Sequence, residues 1–231
     1  MRILLIETAT QVCSVAIAEG GRIVAKRESE EPNAHSSHLA PFIDEMLHEL
    51  NIAAKDIDAV CVSSGPGSYT GLRIGVSSAK GICYALGIPL ISVPTLLGMA
   101  ALYYRQHPEY HGMVCPMIDA RRMECYTMIV ENETLNIIKD TQADVITEGI
   151  YNEYLDRGEV VFIGDGAEKT RSVLGTHPNA RYDADFRLLA EGMLSMAEEK
   201  LQRGDTEDVA YFEPFYLKDF VAKKSVVHGL R

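Results

Sequence analysis

DAVCVSSGPGSYTG, residues 58–71, is a short apolar run that leads directly into a glycine-rich turn. The run Asp58–Val62 predicts a buried strand. After Gly71 the apolar residues at positions 72, 76, 79, 83 and 86 lie on one side of a predicted helix. A strand, a sharp turn and a helix in this order indicate an α/β fold in which helices cover a sheet.

The segments on either side of this stretch extend the pattern and then repeat it. In the first half we predict strands at 2–6, 12–18 and 22–27, a helix from 37 to 50, the strand and helix just described, a strand at 90–93 and a helix at 95–106. In the second half we predict strands at 113–118, 123–130 and 135–139, a helix at 147–156, a strand at 160–163, and helices at 167–174 and 185–203. The order of three strands, a helix, a strand and a helix therefore occurs twice.

The repeated order predicts two lobes, each a mixed β-sheet with flanking helices. This is the architecture of the actin-like ATPase (ASKHA) fold shared by actin, sugar kinases and heat-shock ATPases. We expect an N-terminal lobe at residues 1–110, carrying the partner interface, and a C-terminal lobe at 111–231. The pattern leaves open whether the closing helix at 185–203 packs across both lobes.

The composition limits the classes of function. The chain has 231 residues, 47% of them hydrophobic, and its 22 basic and 33 acidic residues give a formal net charge of −11. These values are typical of a globular protein. They argue against a domain that grips nucleic acid alone, because such domains carry a basic face. Only the stretch from Lys218 to the C-terminus is locally basic, and its role is not evident from the sequence.

Five cysteines, an odd number without a C-x-x-C pair, stand at positions 13, 61, 83, 115 and 125. A disulfide framework or a cysteine zinc site is therefore not expected. Buried free thiols in a reducing cytoplasm are the simplest interpretation. The apolar runs are interrupted well short of the ~20 residues that a membrane-spanning helix requires, so no membrane segment is expected.

The glycine-rich turn, Gly65–Gly71, has two interpretations. Amides at the start of a helix attract anions, so the turn is a candidate phosphate site. It lacks, however, the Gly-Lys-Ser/Thr end of a P-loop and the third glycine of a dinucleotide fingerprint, and Pro66 removes a donor. The alternative is a sharp turn in which Ser68 or Thr70 caps the following helix.

Two further turns are where a two-lobed ATPase holds its nucleotide. The first contains Glu7, Thr8 and Thr10, with Asp119 at the corresponding place in the second half. The other is Gly164-Asp165-Gly166, a strand-to-helix turn of the kind that contacts adenosine. Outside such a fold, each is an ordinary polar connection. No intrinsic cofactor is therefore expected, and ATP or ADP is expected, if it binds at all, to bind weakly or at the interface of a complex.

The helix after the glycine-rich turn carries unusually small side chains. Each internal glycine costs a helix roughly 0.5–1 kcal/mol relative to alanine, so a closely approaching backbone should offset that cost. That backbone belongs either to the same lobe or to a partner. For the partner, the expected interface residues on this helix and its amphipathic neighbour are Leu39, Phe42, Ile43, Met46, Gly71, Leu72, Gly75, Val76, Ser78 and Ala79.

Several strings together resemble one family in order along nearly the whole chain. They are Ile6–Thr10, His35–Leu39, Ser64–Gly75, Met117–Arg122 and Pro214–Leu217. With these strings the chain resembles the TsaB (YeaZ) family, whose members act in the synthesis of threonylcarbamoyladenosine in bacterial tRNA. The resemblance implies the actin-like fold and a paralogous partner, TsaD, which performs the transfer of the threonylcarbamoyl group. It also implies an ATPase, TsaE, and a supply of threonylcarbamoyl-adenylate by TsaC-type enzymes.

The resemblance further implies a protein without a complete catalytic centre, which forms a homodimer when alone and meets tRNA only through the complex. TsaD-like proteins hold a metal with a His-x-Glu-Gly-His motif, and the matching positions here are Thr95, Leu97 and Met99. These side chains are unsuited to a hard or borderline divalent ion. We therefore expect no metal site, no catalytic residue, and a scaffold that activates a TsaD-like enzyme and helps to recruit a TsaE-like ATPase.

An independent enzyme of the same fold is the alternative hypothesis. It would be an ATP-dependent kinase or a peptidase-like hydrolase that uses Glu7, Asp119 and the Gly164-Asp165-Gly166 turn.

Overall fold

Two five-stranded mixed sheets form the framework of the protein. The structure is a computed structural model and describes residues 1–218. The basic C-terminal stretch therefore lies outside the described residues, apart from Lys218. Within the described part of the chain, no helix has the length and apolar character needed to cross a membrane.

The first sheet has the strand order β3-β2-β1-β4-β5. Its strands are β1 Arg2–Glu7, β2 Cys13–Glu19, β3 Arg22–Ser29, β4 Ala59–Ser63 and β5 Leu90–Val93. Strands β1 and β3 each run antiparallel to β2, which lies between them, whereas β4 and β5 run parallel to β1. Helices α1 (Ala34–Glu49) and α2 (Tyr69–Leu86) cover one face, where their apolar residues join those of the sheet.

The second sheet, ordered β10-β9-β6-β7-β8, repeats this arrangement. Its strands are β6 Met113–Asp119, β7 Glu124–Glu131, β8 Asn136–Val145, β9 Val160–Ile163 and β10 Ala180–Asp183. Again three strands are antiparallel and two run parallel to the first of them. The predicted α/β class, with two lobes of mixed sheet and flanking helices, is confirmed.

Several predicted elements of the second half are wrong in extent. The predicted helix at 147–156 is only α4, Asn152–Leu155, and that at 167–174 is a 3-10 turn followed by α5, Arg171–Leu174. Strand β10 was not predicted. The predicted helix at 185–203 begins later, with a 3-10 turn at Ala190–Met193 and then α6, Leu194–Arg203.

The segment before that turn is extended because alternate side chains are buried. Phe186, Leu188 and Ala190 are at most 8% exposed, while Arg187 forms ion pairs with Glu28 and Glu30. The amide of Ala190 donates to Ser14 Oγ at 3.0 Å. A helix would not place every second side chain in the core.

The last helix of each half packs on the sheet of the other half. Helix α3 (Thr95–Gln106) buries Leu96, Met99 and Tyr103 in a cluster with the apolar residues of β6 and β9. Conversely, Met193, with Leu194 and Ala197 of α6, packs among Ile3, Leu5 and other residues of the first sheet. The lobe boundary near residue 110 stays a prediction.

All five cysteines are free and buried, as expected. They lie in β2, β4, α2, β6 and β7, so each serves as a small apolar side chain in a core cluster. Burial raises the pKa of the Cys13 thiol to about 11, with a smaller contribution from Glu7.

Candidate functional site

A cleft with a cavity of about 570 Å³ lies between the two lobes. One wall is the glycine-rich turn with the start of α2, and the other is the β6–β7 turn with Asp165. Its polar and aromatic lining residues include Thr10, Gln11, His35, Ser68, Tyr69, Thr70, Asp119, Arg121, Tyr126, Asp165, Tyr216 and Lys218.

A second cavity of about 400 Å³ adjoins the first and shares Thr10, Gln11 and Asp165 with it. Its remaining walls include Met99, Gly164 and the segment before the closing helix. Of the six residues predicted to bind a nucleotide, the cleft thus brings together Thr10, Gly164 and Asp165.

The glycine-rich turn is held by its own contacts. Ser68 Oγ accepts a hydrogen bond from the amide of Gly71 at 3.2 Å, which confirms the capping interpretation. The Ser68 amide donates to the carbonyl of Ala9 at 2.6 Å, and a Cβ added at Gly67 would lie 2.5 Å from that same oxygen. The turn therefore packs directly on the Glu7–Thr10 loop, and glycine is required for that approach.

Glu7 lies at the end of β1 and is fully buried. Its Oε1 accepts hydrogen bonds from the Ala9 amide and from Ser63 Oγ, both at 2.7 Å, whereas Oε2 has no partner among the described residues. Desolvation raises the pKa of Glu7 to about 7, against the lowering effect of these hydrogen bonds. Glu7 lines neither cavity, and its predicted role in binding a nucleotide stays a prediction.

Thr8 is also fully buried, and its position explains two of the glycines of α2. A Cβ added at Gly71 would overlap the Thr8 carbonyl oxygen, and one added at Gly75 would overlap Thr8 Oγ1. The closely approaching backbone thus belongs to the same lobe. Thr8 is absent from the lining of both cavities, and its predicted nucleotide contact also stays a prediction.

The same packing bears on the predicted partner interface, which stays a prediction. Seven of its residues lie buried within the chain and are not accessible to a partner: Leu39, Met46, Gly71, Leu72, Gly75, Val76 and Ala79. Phe42, Ile43 and Ser78 are half-buried and remain partly accessible. The apolar faces of these two helices therefore pack mainly into the core of the lobe, and only the residues at the edge of each apolar face reach the surface.

On the second lobe, Asp119 and Asp165 face the cleft with different electrostatic surroundings. Asp119 accepts hydrogen bonds from Lys169 Nζ and, at 2.7 Å, from the Arg121 amide; these outweigh desolvation and hold the pKa of Asp119 below its usual value. Asp165 accepts from the Asp119 amide at 3.0 Å, yet desolvation raises its pKa. Two neighbouring carboxyl groups are thereby separated in acidity.

Gly164 has a left-handed φ of 96°, and a Cβ there would lie 2.5 Å from the Met117 carbonyl oxygen. Gly166 packs on the backbone of Ile118 and Asp119 and lines neither cavity, and its predicted nucleotide contact stays a prediction. This turn brings the Asp165 side chain to the junction of the two cavities.

The positions that correspond to the metal motif lie at the start of α3. Thr95 Oγ1 accepts from the Gly65 amide at 3.0 Å, and Met99 is fully buried and lines the second cavity. Leu97 is half-buried. Within residues 1–218, no group of three or more His, Cys, Asp or Glu side chains is placed to hold a metal ion.

Sequence reasoning missed the aromatic and basic lining of the first cavity. Tyr126 comes from β7, while Tyr216 and Lys218 come from the segment that follows α6. Tyr216 lies in the Pro214–Leu217 string of the family resemblance and Lys218 begins the basic stretch, but neither pattern places these residues in the cleft, which each reaches through contacts with distant elements.

Comparison with known proteins fits this geometry. Residues 27–226 match the family model described as TsaD, tRNA N6-adenosine threonylcarbamoyltransferase. The threonylcarbamoyladenosine biosynthesis protein TsaB of Escherichia coli K12 is 33% identical over 231 residues, which is 98% of each chain. The chain belongs to the TsaB family. The Bacillus subtilis TsaB protein is 33% identical over 127 residues, about half of each chain.

Solved structures agree with this family. YeaZ from Pseudomonas aeruginosa superposes with a TM-score of 0.80 at 27% identity and covers 94% of this chain and 99% of its own. Component A of the (R)-2-hydroxyglutaryl-CoA dehydratase of Acidaminococcus fermentans, with a TM-score of 0.53, 14% identity and coverage of 87% and 99%, shares the fold alone. The fold of this TsaB-family chain is the actin-like ATPase fold.

Proposed function

We propose that this chain acts in the synthesis of threonylcarbamoyladenosine in tRNA as the scaffold and activating subunit. In this role it pairs with a TsaD-like carbamoyltransferase, helps to recruit a TsaE-like ATPase, and works in the cytoplasm with tRNA reached only through the complex. The observation that carries the proposal is the match to a TsaB protein along almost the whole of both chains.

The geometry supports a non-catalytic role. Thr95 is occupied by its bond to the Gly65 amide, and Met99 offers only a thioether, which suits soft metal ions. Glu7, the acid that the alternative enzyme hypothesis requires in the cleft, is buried beside Ser63. No described residue specifically favours the kinase or hydrolase alternative.

Reconstitution tests the function. Purified TsaD-like partner, TsaE-like ATPase and a TsaC-type enzyme are combined with tRNA, with and without this chain. We expect threonylcarbamoylated tRNA to form at a substantial rate only when the chain is present. Equal modification without it would contradict the scaffold role.

The partly exposed edges of α1 and α2 offer a variant that tests the partner interface directly. We propose that the partner, or a second copy when the chain is alone, contacts Phe42, Ile43 and Ser78. Gly81 lies exposed on α2, and a Cβ added there meets no atom of the described chain within 4 Å, so Gly81→Arg leaves the folded chain undisturbed. A partner packed against α2 would bury the new charge. Recovery of a TsaD-like partner in co-purification should therefore fall by roughly tenfold or more.

Gln202→Arg is the matched control, since it places the same guanidinium on an exposed position of α6. It should bind the partner as the wild-type chain does. Equal binding by Gly81→Arg would remove α2 from the interface.

We also propose that the isolated chain binds ATP or ADP at most weakly. Glu7 and Thr8 are buried away from the cleft, and Asp119 already accepts from Lys169. Calorimetric titration with ATP and Mg²⁺ should give little heat. Tight binding with turnover would instead favour the enzyme hypothesis.

A further inference from the structure

The segment after α6, residues 205–218, returns along the first lobe toward the cleft; we name it the strap. Its start is fixed to the edge of the first sheet, where the Glu207 amide donates to the Leu90 carbonyl at 2.8 Å. Farther along, Lys80 Nζ of α2 donates to the carbonyls of Ala210 at 3.2 Å and Phe212 at 2.9 Å. The strap is therefore attached to two elements before it reaches the cleft.

At the cleft the strap lies against the glycine-rich turn. The Phe215 amide donates to the Ser64 carbonyl at 2.7 Å, and a Cβ added at Gly65 would lie 2.5 Å from the Phe215 oxygen. The Tyr216 ring lies 4.9 Å from the ring of Tyr69 at the start of α2. Residues 215–218 thereby form part of the lining of the larger cavity.

The end of the strap bridges the two lobes. Lys218 Nζ forms an ion pair with Glu124 Oε1, at the first residue of β7 in the second sheet. The Glu124 side chain is 21% exposed, so this pair is partly shielded from solvent. A segment anchored on the first lobe thus reaches the second lobe and lines the larger cavity between them.

We propose that the strap is a built-in lid that restrains the two lobes and occupies one side of the larger cavity. Tyr216 and Lys218 of the strap have to move out of the cavity before a ligand of similar size can enter from that side. Release of the Lys218–Glu124 contact is then coupled to opening of the cleft. This inference rests on the contacts of the strap and is independent of the proposed function.

Pulsed electron–electron distance measurement on the full chain tests the lid. Spin labels are placed at Asp44→Cys on α1, where the side chain is 73% exposed, and at Glu153→Cys on α4, which is also exposed. The five native cysteines are buried and are not expected to take the label. Lys218→Gln and Tyr216→Ala should each raise the fraction of molecules with a long distance between the two labels. For Lys218→Gln, which removes the ion pair, the increase should be up to about fivefold.

Reversal of the pair, Glu124→Lys with Lys218→Glu, should restore the wild-type distribution. Arg203→Gln, which removes a cation from an i,i+4 pair on α6, is the matched control and should change nothing. Hydrogen exchange at the Phe215 amide should become faster together with the opening. The proposal is overturned by an unchanged distance distribution in Lys218→Gln, or by opening that leaves this exchange rate unaltered.

Discussion

Gly71→Ala is expected to lower the free energy of unfolding by about 3 kcal/mol, the upper end of the usual cost of overpacking. The added methyl group overlaps the carbonyl oxygen of Thr8, which is backbone and is held in the turn after β1. Either α2 or that turn has to move. Urea unfolding followed by circular dichroism measures the loss.

Gly81→Ala is the matched control on the same helix. Its methyl group enters open space, so only helix propensity changes, and the free energy of unfolding should rise by about 0.5–1 kcal/mol. Opposite signs for the two variants would identify Thr8 as the reason for the small residues. A similar small rise in the free energy of unfolding for both variants would contradict the close approach of Gly71 to Thr8.

Glu7→Gln is expected to stabilise the protein increasingly as the pH rises. The pKa of Glu7 is raised by burial from 4.5 to about 7, so between these values the folded chain keeps a proton that the unfolded chain releases. The contribution of the neutral Glu7 carboxyl to the free energy of unfolding is fully present below pH 4.5 and is lost as the pH rises through 7. The loss amounts to roughly 3 kcal/mol.

The amide introduced by Glu7→Gln cannot ionise, and its oxygen can still accept from the Ala9 amide and Ser63 Oγ. The difference in unfolding free energy between the variant and the wild type should therefore grow from pH 4 to pH 8 by about 3 kcal/mol. A carbon-13 titration of the Glu7 carboxyl gives an independent value of its pKa. A difference that stays constant with pH would refute the buried-acid assignment.

The first lobe was predictable because its signals are local. The apolar residues of α1 and α2 recur at helical spacing, and Leu90–Val93 and Thr95–Gln106 have the predicted bounds. Ser68 was a capping candidate by residue type alone, and the structure places it there.

The second lobe departs from prediction where the pattern is short or ambiguous. Strand β10 has four residues and no buried one, so it has no apolar run to detect. Leu189, Met193 and Met196 recur at helical spacing and therefore predict a helix, but the chain is extended as far as Leu189. The hydrogen bond from the Ala190 amide to Ser14 Oγ, a residue far away in the sequence, fixes this extended segment. Side-chain spacing alone does not contain that information.

The candidate site was the least predictable part. Small residues on α2 indicate a close neighbour, but only the fold reveals that the neighbour is Thr8 of the same chain. Likewise, Glu7 has the residue type and position of a cleft acid, and the register of β1 with β4 turns it toward Ser63. Both arrangements depend on contacts between residues that are far apart in the sequence.

The exchange of α3 and α6 between the sheets makes each half of the chain incomplete. A polypeptide cut near residue 110 would leave an uncovered apolar face on both fragments, so each would need the other, or a second copy of itself, to become soluble. We therefore expect the two halves to fold together as one cooperative unit.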